Sequence, residues 1–167
     1  LRNSSAASDV YKRQDLIPGN SHFDTTKGHI EYRNAIPVDC TVEEAFEIES
    51  NYPFKGNIDP QKLEKTLQKS SKEKIPFVLL TITCNSAGGQ PVSIENMRIV
   101  RALCDKYQIG FYIDGARFAE NAYFIKTREK EFVNHSIKQI VKEMFSLADG
   151  MTMSAKKDGI VNMGGFI

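Results

Sequence analysis

The sequence predicts an α/β fold with a mainly parallel sheet flanked by helices. Three short apolar runs, at 76–83, 109–113 and 151–153, alternate with longer stretches whose apolar residues recur at helical spacing. Strands and helices that alternate in this way form a parallel sheet through right-handed crossovers. Ligands bind such sheets outside the carboxyl ends of the strands, so the residues that follow each run are the first candidates for a site.

The first third of the sequence has weaker patterns for helices and strands. Residues 15–27 are predicted to be loop and turn, because Pro18-Gly19-Asn20 interrupts any regular pattern. A short strand is predicted at 35–38, a short helix at 43–48 and a turn at 54–57. The regular part of the sheet is therefore expected to start with the first of the three apolar runs.

Three helices carry clear signals. The first opens with an Asp N-cap and a proline at 59–60, and the second opens at the cap Ser93 and runs to about Tyr107. The third covers 136–147. The residues assigned to their apolar faces are Leu63 and Leu67, then Ile94, Met97, Val100, Ala102 and Leu103, and finally Ile137, Ile140, Val141 and Met144.

The composition bounds the class of protein. The 167 residues are enough to bury the core of one domain, and 22 basic against 21 acidic residues argue against a nucleic-acid partner held by bulk charge. No apolar run is long enough to span a membrane, so no membrane partner is expected. The three cysteines lack CxxC spacing, which favours a reduced, cytoplasmic setting without a zinc site.

The two ends of the sequence differ from its middle. Residues 1–14 are polar, rich in Ser and Ala, and have no apolar stretch typical of a signal peptide. We interpret them as a non-native or artefactual leader. Residues 15–167 are expected to be one incomplete domain, a fragment of a longer enzyme, because 164–167 stop within an apparent turn and strand.

Two polar segments at predicted strand ends carry the chemistry. Asp114-Gly115-Ala116-Arg117 follows the run at 109–113, and Ser154-Ala155-Lys156-Lys157 follows the run at 151–153. This is what pyridoxal phosphate (PLP) requires: a lysine amine that holds the aldehyde as a Schiff base, and a carboxylate that keeps the pyridine nitrogen protonated. An isolated Lys-Lys pair is more often a solvated loop, and an Asp after a strand is also a common helix N-cap.

Four further residues are candidates for contacts with such a cofactor. Arg117 and Asn85 are suited to its phenolic oxygen, Phe23 to stacking on its ring, and Ser154 to its phosphate. Each type also has an ordinary structural role: a surface ion pair for Arg, turn chemistry for Asn, a core anchor for Phe and a cap for Ser.

The spacing of residues indicates no other cofactor. The histidines at 22, 29 and 135 do not group with cysteines or carboxylates at ligand spacing, so we interpret them as ordinary polar residues; His29 alone is a candidate for lining the site. The glycine pairs at 88–89 and 164–165 are not a GxGxxG fingerprint, which argues against a dinucleotide site.

Several longer stretches resemble the β-eliminating lyases of PLP fold type I, the family of tryptophanase and tyrosine phenol-lyase. The stretches that carry the resemblance are 23–29 (FDTTKGH), 52–57 (YPFKGN), 83–93 (TCNSAGGQPVS), 114–125 (DGARFAENAYFI) and 153–159 (MSAKKDG). The match runs from about residue 15 to the end and is more specific than a likeness to aminotransferases. It implies the central part of a large PLP-binding domain with the PLP-dependent transferase-like fold.

The resemblance also implies roles for individual residues. Lys157 would carry the cofactor and move the substrate's α-proton, and Asp114 would hold the pyridinium. Arg117 and Asn85 would serve the phenolic oxygen, Asn85 would also touch the substrate carboxylate, and Phe23 would stack on the ring. The remaining implied positions are Ser154 and Lys156 at the phosphate, Asp24 at the substrate, and Asn162 as a carbonyl ligand of a monovalent cation, usually potassium.

Within the family, the resemblance is closer to tryptophanase. Asp24, followed by Lys27-Gly28-His29, is similar to tryptophanase, whereas tyrosine phenol-lyases tend to have Thr in the place of Asp24. The implied reaction converts L-tryptophan and water to indole, pyruvate and ammonia, in a homotetramer. The alternatives are tyrosine phenol-lyase, which releases phenol from L-tyrosine, a threonine-aldolase-like lyase, and, from a different class, a non-catalytic fragment.

Parts of the family's site are expected outside this sequence. The resemblance implies a phosphate-binding loop upstream of residue 15, a small domain with a carboxylate-binding arginine downstream of Ile167, and further residues from a neighbouring subunit. We therefore expect this segment to be inactive by itself.

Overall fold

A six-stranded sheet organises the protein. The computed structural model describes residues 14–167. The strands are β1 (Leu16–Gly19), β2 (Ile36–Asp39), β3 (Phe77–Thr81), β4 (Gly110–Asp114), β5 (Gly150–Ser154) and β6 (Gly165–Phe166). Their order across the sheet is β2-β1-β3-β4-β5-β6; neighbours from β2 to β5 pair in parallel, and β6 joins β5 antiparallel. The predicted mainly parallel sheet is confirmed, and β2 to β5 lie within two residues of the predicted runs.

Helices cover both faces of this sheet. The α-helices are α1 (Asp24–Tyr32), α2 (Pro60–Lys69), α3 (Ile94–Tyr107), α4 (Phe118–Arg128) and α5 (Ile137–Ser146), and short 3-10 turns lie at Glu43–Phe46, Lys72–Lys74, Asn85–Ala87 and Lys130–Phe132. Alternate residues of β3 enter different cores, as expected for a strand buried on both faces. Val78 and Leu80 belong to the larger core with α2 to α5, whereas Phe77 and Leu79 belong to a smaller core with Ile30 of α1.

The predicted helix starts are confirmed by their caps. Asp59 accepts the N–H groups of the second and third residues of α2, at 2.8 and 3.2 Å. Ser93 caps α3, and Ser136 forms a reciprocal capping box with Gln139 at the start of α5. The caps agree with the sequence because they depend on residue types at fixed local spacing.

The prediction that 15–27 form loop and turn is wrong, because this segment contains β1 and the start of α1. β1 has four residues and ends in a Pro-Gly pair, so it lacks the length and composition of a typical strand. It forms because it lies between β2 and β3, where Ile17 is fully buried. α1 contains Gly28 and buries Ile30 alone, so tertiary contacts hold it more than helix propensity does.

Two smaller expectations also differ from the structure. The helix predicted at 43–48 is a single 3-10 turn, since Phe46 and Ile48 stay exposed and give a longer helix no buried face. On α3, Ala102 is exposed and Cys104 is buried with the apolar face instead.

Asn20 ties together the carboxyl ends of two strands. Its Oδ1 accepts the Thr81 N–H at 2.9 Å, and its Nδ2 donates to the carbonyls of Thr81 and Gly56 at 2.8 and 2.9 Å. β1 and β3 pair directly at Gly19 and Leu79, so the fully buried Asn20 side chain prolongs their connection. The segment between β1 and α1 is thereby fixed against the end of β3.

Within residues 14–167, no helix is long and apolar enough to cross a membrane, and no group of three or more His, Cys, Asp or Glu side chains is placed to hold a metal ion. The three cysteines are buried and free. The predicted leader at 1–14 lies outside the described residues, apart from the exposed Gln14.

Candidate active site

Three neighbouring strands bring the candidate residues to one edge of the sheet. Asp114 ends β4, in register with Thr81 at the end of β3 and with Thr152 of β5. Asn85 begins the 3-10 turn after β3, and Lys157 lies in the turn after β5. The polar residues therefore share the carboxyl edge, where ligands of parallel sheets bind.

The amine of Lys157 lies over the aromatic ring of Phe23. Its Nζ is 4.4 Å from the ring centroid, a distance typical of a cation–π contact. Phe23 is half-buried directly before α1. The Lys157 backbone is held in its turn by its own N–H, which donates to the Ser154 carbonyl at 3.3 Å. The lysine and the flat ring thus face one another although they come from opposite ends of the described chain.

The surroundings shift the protonation equilibrium of this amine toward the neutral form. Partial burial lowers the pKa of Lys157, and the positive charges of Arg117 and Lys156 lower it further, while Asp114 and Asp158 act in the opposite direction. A larger share of free amine near neutral pH is what nucleophilic chemistry at a carbonyl requires.

The Asp114 carboxyl is half-buried at the end of β4, with positive groups near it. Burial raises the pKa of Asp114, and this effect is opposed by the Ala116 N–H and by the charges of Lys157 and His22. A protonated ring nitrogen placed against the carboxyl would favour its ionised form further. The carboxyl is therefore suited to pairing with a buried cation.

Arg117 borders the loop that follows β3. A side-chain carbon at Gly89 would lie 3.7 Å from Nη1 of Arg117 and 3.8 Å from Oγ1 of Thr83, so the guanidinium comes close to this loop. The Thr83 hydroxyl is buried and has no hydrogen-bond partner among residues 14–167. The ion pair of Arg117 with Glu120 is long, at 3.9 Å, and Asn85 is half-buried in the same loop. Arg117 and the unpartnered Thr83 hydroxyl thus both lie near Gly89, whose loop also carries Asn85.

The other predicted residues lie at the margin of this cluster. Ser154 is half-buried at the end of β5 and pairs with Gly165 of β6. Asp24 is the exposed first residue of α1, and Lys156 and Asn162 are exposed between β5 and β6. Those three exposed side chains lie outside the buried part of the site.

His22 is predicted from the sequence to be an ordinary polar residue, but the structure buries it in an ion pair. The His22 ring is fully buried, and its Nδ1 lies 3.1 Å from Oδ1 of Asp39. A hydrogen bond from His22, together with its charge, lowers the pKa of Asp39. Nε2 is buried without a hydrogen-bond partner in the described part of the chain. No local spacing could reveal the pair, because Asp39 lies 17 residues away on the neighbouring strand.

The fold is shared with solved enzyme structures of low sequence identity. A NifS-like protein from Rickettsia africae is similar with a TM-score of 0.62 and 18% identity, over 98% of this chain and 36% of that one. A putative L-allo-threonine aldolase from Listeria monocytogenes is similar with a TM-score of 0.59 and 17% identity, over 99% of this chain and 38% of that one. Both have the fold of PLP fold type I enzymes, which confirms the predicted fold.

Curated relatives are much closer in sequence. The chain is 62% identical over 158 residues to a probable beta-eliminating lyase of Trichomonas vaginalis, covering 95% of this chain and 34% of that protein. It is 51% identical to a tyrosine phenol-lyase of Pasteurella multocida (95% of this chain, 34% of the relative) and 51% identical to a tryptophanase of Salinibacter ruber (90% and 32%). The chain thus spans about a third of the length of these relatives.

The family model that matches this sequence describes beta-eliminating lyases and covers residues 5–167. The match includes all the strand ends that carry the candidate site. The chain belongs to the beta-eliminating lyase family.

Proposed function

We propose that the complete protein is a PLP-dependent β-eliminating lyase that converts L-tryptophan and water to indole, pyruvate and ammonia. The observation that carries this proposal is the position of the Lys157 amine, 4.4 Å from the centre of the Phe23 ring and close enough to Asp114 for its charge to act on the pKa of that half-buried carboxyl. When bound, PLP supplies an electron sink for the electrons released at the substrate's α-carbon.

The residues at the strand ends fit this cofactor. Phe23 offers a flat apolar face to a planar ring, and Asp114 offers a half-buried carboxyl to a protonated ring nitrogen. Arg117 and Asn85 are assigned to an anionic oxygen of the cofactor; in support, the guanidinium lies near Gly89, in the loop that carries Asn85 and the unpartnered Thr83 hydroxyl. The phosphate is assigned to Ser154 and Lys156.

Lys157 performs two tasks in this proposal. Its amine would hold the cofactor and, with substrate bound, would accept the proton from the substrate's α-carbon. Burial and the charges of Arg117 and Lys156 lower the pKa of Lys157, which enlarges the share of free amine for both tasks. Protonation of the aromatic ring carbon then lets the ring leave.

Asp24 is the residue on which we base L-tryptophan as the substrate. It directly follows Phe23 and is exposed at the start of α1, so its carboxylate lies next to the residue that would stack on the cofactor. A carboxylate there can orient the proton donor for the leaving indole. L-Tyrosine is the second candidate substrate, since relatives named tyrosine phenol-lyase and tryptophanase are both 51% identical to this chain.

Further features of the proposal concern the complete protein. We infer a cytoplasmic homotetramer that uses potassium, with the Asn162 carbonyl as one ligand, and that has no nucleic-acid or membrane partner. The segment described here is proposed to be inactive alone, since it spans about a third of its relatives.

Product release by the complete protein tests the proposal. The protein is purified with PLP and potassium, incubated separately with L-tryptophan and L-tyrosine, and assayed for indole, phenol and pyruvate. Indole in clear excess supports the assignment, and phenol in excess would transfer it to tyrosine. Release of neither aromatic product, with no pyruvate, would overturn the lyase proposal.

A further inference from the structure

The helix that follows the Asp114 segment takes its N-terminal cap from a distant part of the chain. α4 begins after Arg117, whose side chain makes no capping hydrogen bond. Instead, Oδ2 of Asp158 accepts the N–H of Ala119 at 2.7 Å and, at the longer distance of 3.5 Å, the N–H of Glu120. A carboxylate at this position satisfies N–H groups that have no partner inside the helix and interacts well with the helix dipole.

The backbone of Asp158 also joins the segment that contains Lys157 to the segment that follows Asp114. Its N–H donates to the Ala116 carbonyl at 3.4 Å, within the segment that connects Asp114 to α4. Asp158 directly follows Lys157 in the sequence. One residue therefore connects the lysine segment both to the carboxyl segment and to the helix behind it.

The turn around Lys157 is tight enough to transmit this restraint. The Lys157 N–H donates to Ser154 at 3.3 Å, and the Lys157 carbonyl accepts another N–H at 3.0 Å. A side-chain carbon at Gly159 would lie 2.5 Å from the Ala155 carbonyl oxygen, so the chain closes on itself directly after Asp158. Lys157 consequently has little freedom to move independently of Asp158.

The charge of Asp158 acts on the same amine. Asp158 and Asp114 favour the protonated form of Lys157, against burial and the charges of Arg117 and Lys156. Loss of the Asp158 charge therefore favours the neutral amine.

We propose that Asp158 is a positioning residue that fixes the Lys157 amine against Asp114 in the cofactor site. This inference rests on the proposed PLP function, since it assigns Asp158 to the placement of the residue that would hold PLP. The competing explanation is that Asp158 serves α4 as a helix cap and nothing more.

Asp59 offers a matched control. It caps α2 at the same two helix positions, accepting the N–H groups of the second and third residues at 2.8 and 3.2 Å, and α2 carries none of the proposed site residues. Asp158→Ala and Asp59→Ala each remove a carboxylate cap, so both should lower the thermal midpoint of the complete protein. Effects found with Asp158→Ala alone report on the site.

The test uses the complete protein and has two readouts. The first is the rate at which the cofactor-free protein captures PLP in a borohydride-reducible form, and the second is the pH midpoint of the bound cofactor's absorbance in the holoprotein. Asp158→Ala should slow capture about tenfold through misplacement of the amine. It should also lower the pH midpoint by roughly half a unit, because a negative charge near the nitrogen is lost. Asp59→Ala should leave both readouts at the wild-type values.

Asp158→Asn separates position from charge and provides a readable variant if Asp158→Ala does not fold. The amide keeps an acceptor oxygen for the Ala119 N–H, so capture should recover to within about threefold of wild type while the midpoint stays low. Wild-type values for Asp158→Asn in both readouts, or equal effects of the two Ala variants, would overturn the inference. If the wild-type protein captured no PLP, the proposed function itself would fail. The capture measurement on the wild-type protein detects that failure separately from any effect of the Asp158 variants.

Discussion

The Nζ of Lys157 lies 4.4 Å from the centre of the Phe23 ring, a contact between the segment after β1 and the segment after β5. The sheet creates this contact, because β1 and β5 have their carboxyl ends at the same edge. The amine lies over the ring face on which a planar cofactor would stack. In our proposal, Phe23 would stack on the cofactor ring and the Lys157 amine would hold the cofactor.

Replacement of the Phe23 ring should weaken cofactor binding. Phe23→Leu keeps an apolar side chain but removes the flat face, so we expect the dissociation constant for PLP to rise about tenfold, or about 1.4 kcal/mol. Phe23→Tyr retains the ring and should bind as the wild type does. Spectrophotometric titration with PLP measures both, and equal constants for Leu and Phe would remove Phe23 from the stacking role.

Asp114 should matter more for turnover than for cofactor capture. Asp114→Asn keeps the shape of the side chain but cannot stabilise a protonated ring nitrogen, so the electron sink is weakened. We expect PLP to remain trappable by borohydride and aromatic product release to fall by roughly 10²-fold or more. The long-wavelength absorbance that substrate produces should fall in parallel. Unchanged turnover in Asp114→Asn would contradict the assignment.

The His22–Asp39 pair should make stability depend on acid pH. The hydrogen bond from His22 lowers the pKa of Asp39 below the usual 3.8. The pair therefore stabilises the folded state above pH 3.8, and this contribution is lost as the pH falls through the lower pKa of Asp39 in the folded state. Asp39 is half exposed, so its removal in Asp39→Asn should cost less than about 1 kcal/mol at pH 7. Thermal midpoints from pH 7 to pH 3 should fall less steeply for Asp39→Asn than for the wild type. Parallel curves would contradict the pairing.

Replacement of Asn20 should strongly lower the free energy of unfolding. Asn20→Ala leaves the buried Thr81 N–H and two carbonyl groups without their partner, at an expected cost of about 2–3 kcal/mol. Asn20→Asp keeps an acceptor oxygen for the Thr81 N–H but loses the donor to the two carbonyls, so comparing it with Asn20→Ala separates the two halves of the interaction. Urea unfolding of the complete protein measures the cost, and a loss below 0.5 kcal/mol, taken as roughly the limit for surface sites, would show that Asn20 does not hold β1 to β3.

The predictable part of the fold is the part with local signals. Asp59, Ser93 and Ser136 cap helices where their residue types and spacing indicate, and the apolar runs become strands. β1 could not be predicted in this way, because it is a short strand with Pro18 and Gly19 that exists only through its neighbours in the sheet. α1 is similar, with one buried residue and no favourable pattern.

Part of the candidate site could likewise be predicted from local sequence patterns, and part could not. Asp114 and Lys157 follow recognisable strands, so the parallel sheet alone places them at one edge. The pairing of His22 with Asp39 and the capping of α4 by Asp158 join residues far apart in the sequence. Side-chain contacts of this kind depend on register and burial, which hydrophobic periodicity does not contain.

The most direct test of the central claim is to locate the lysine that holds PLP. The complete holoprotein is reduced with borohydride and digested, and the modified residue is identified by peptide mass spectrometry. We predict modification of Lys157, which lies half-buried over Phe23, and none of Lys156, which is adjacent but exposed. Modification of Lys156, or of no residue in the segment 154–159, would contradict the account.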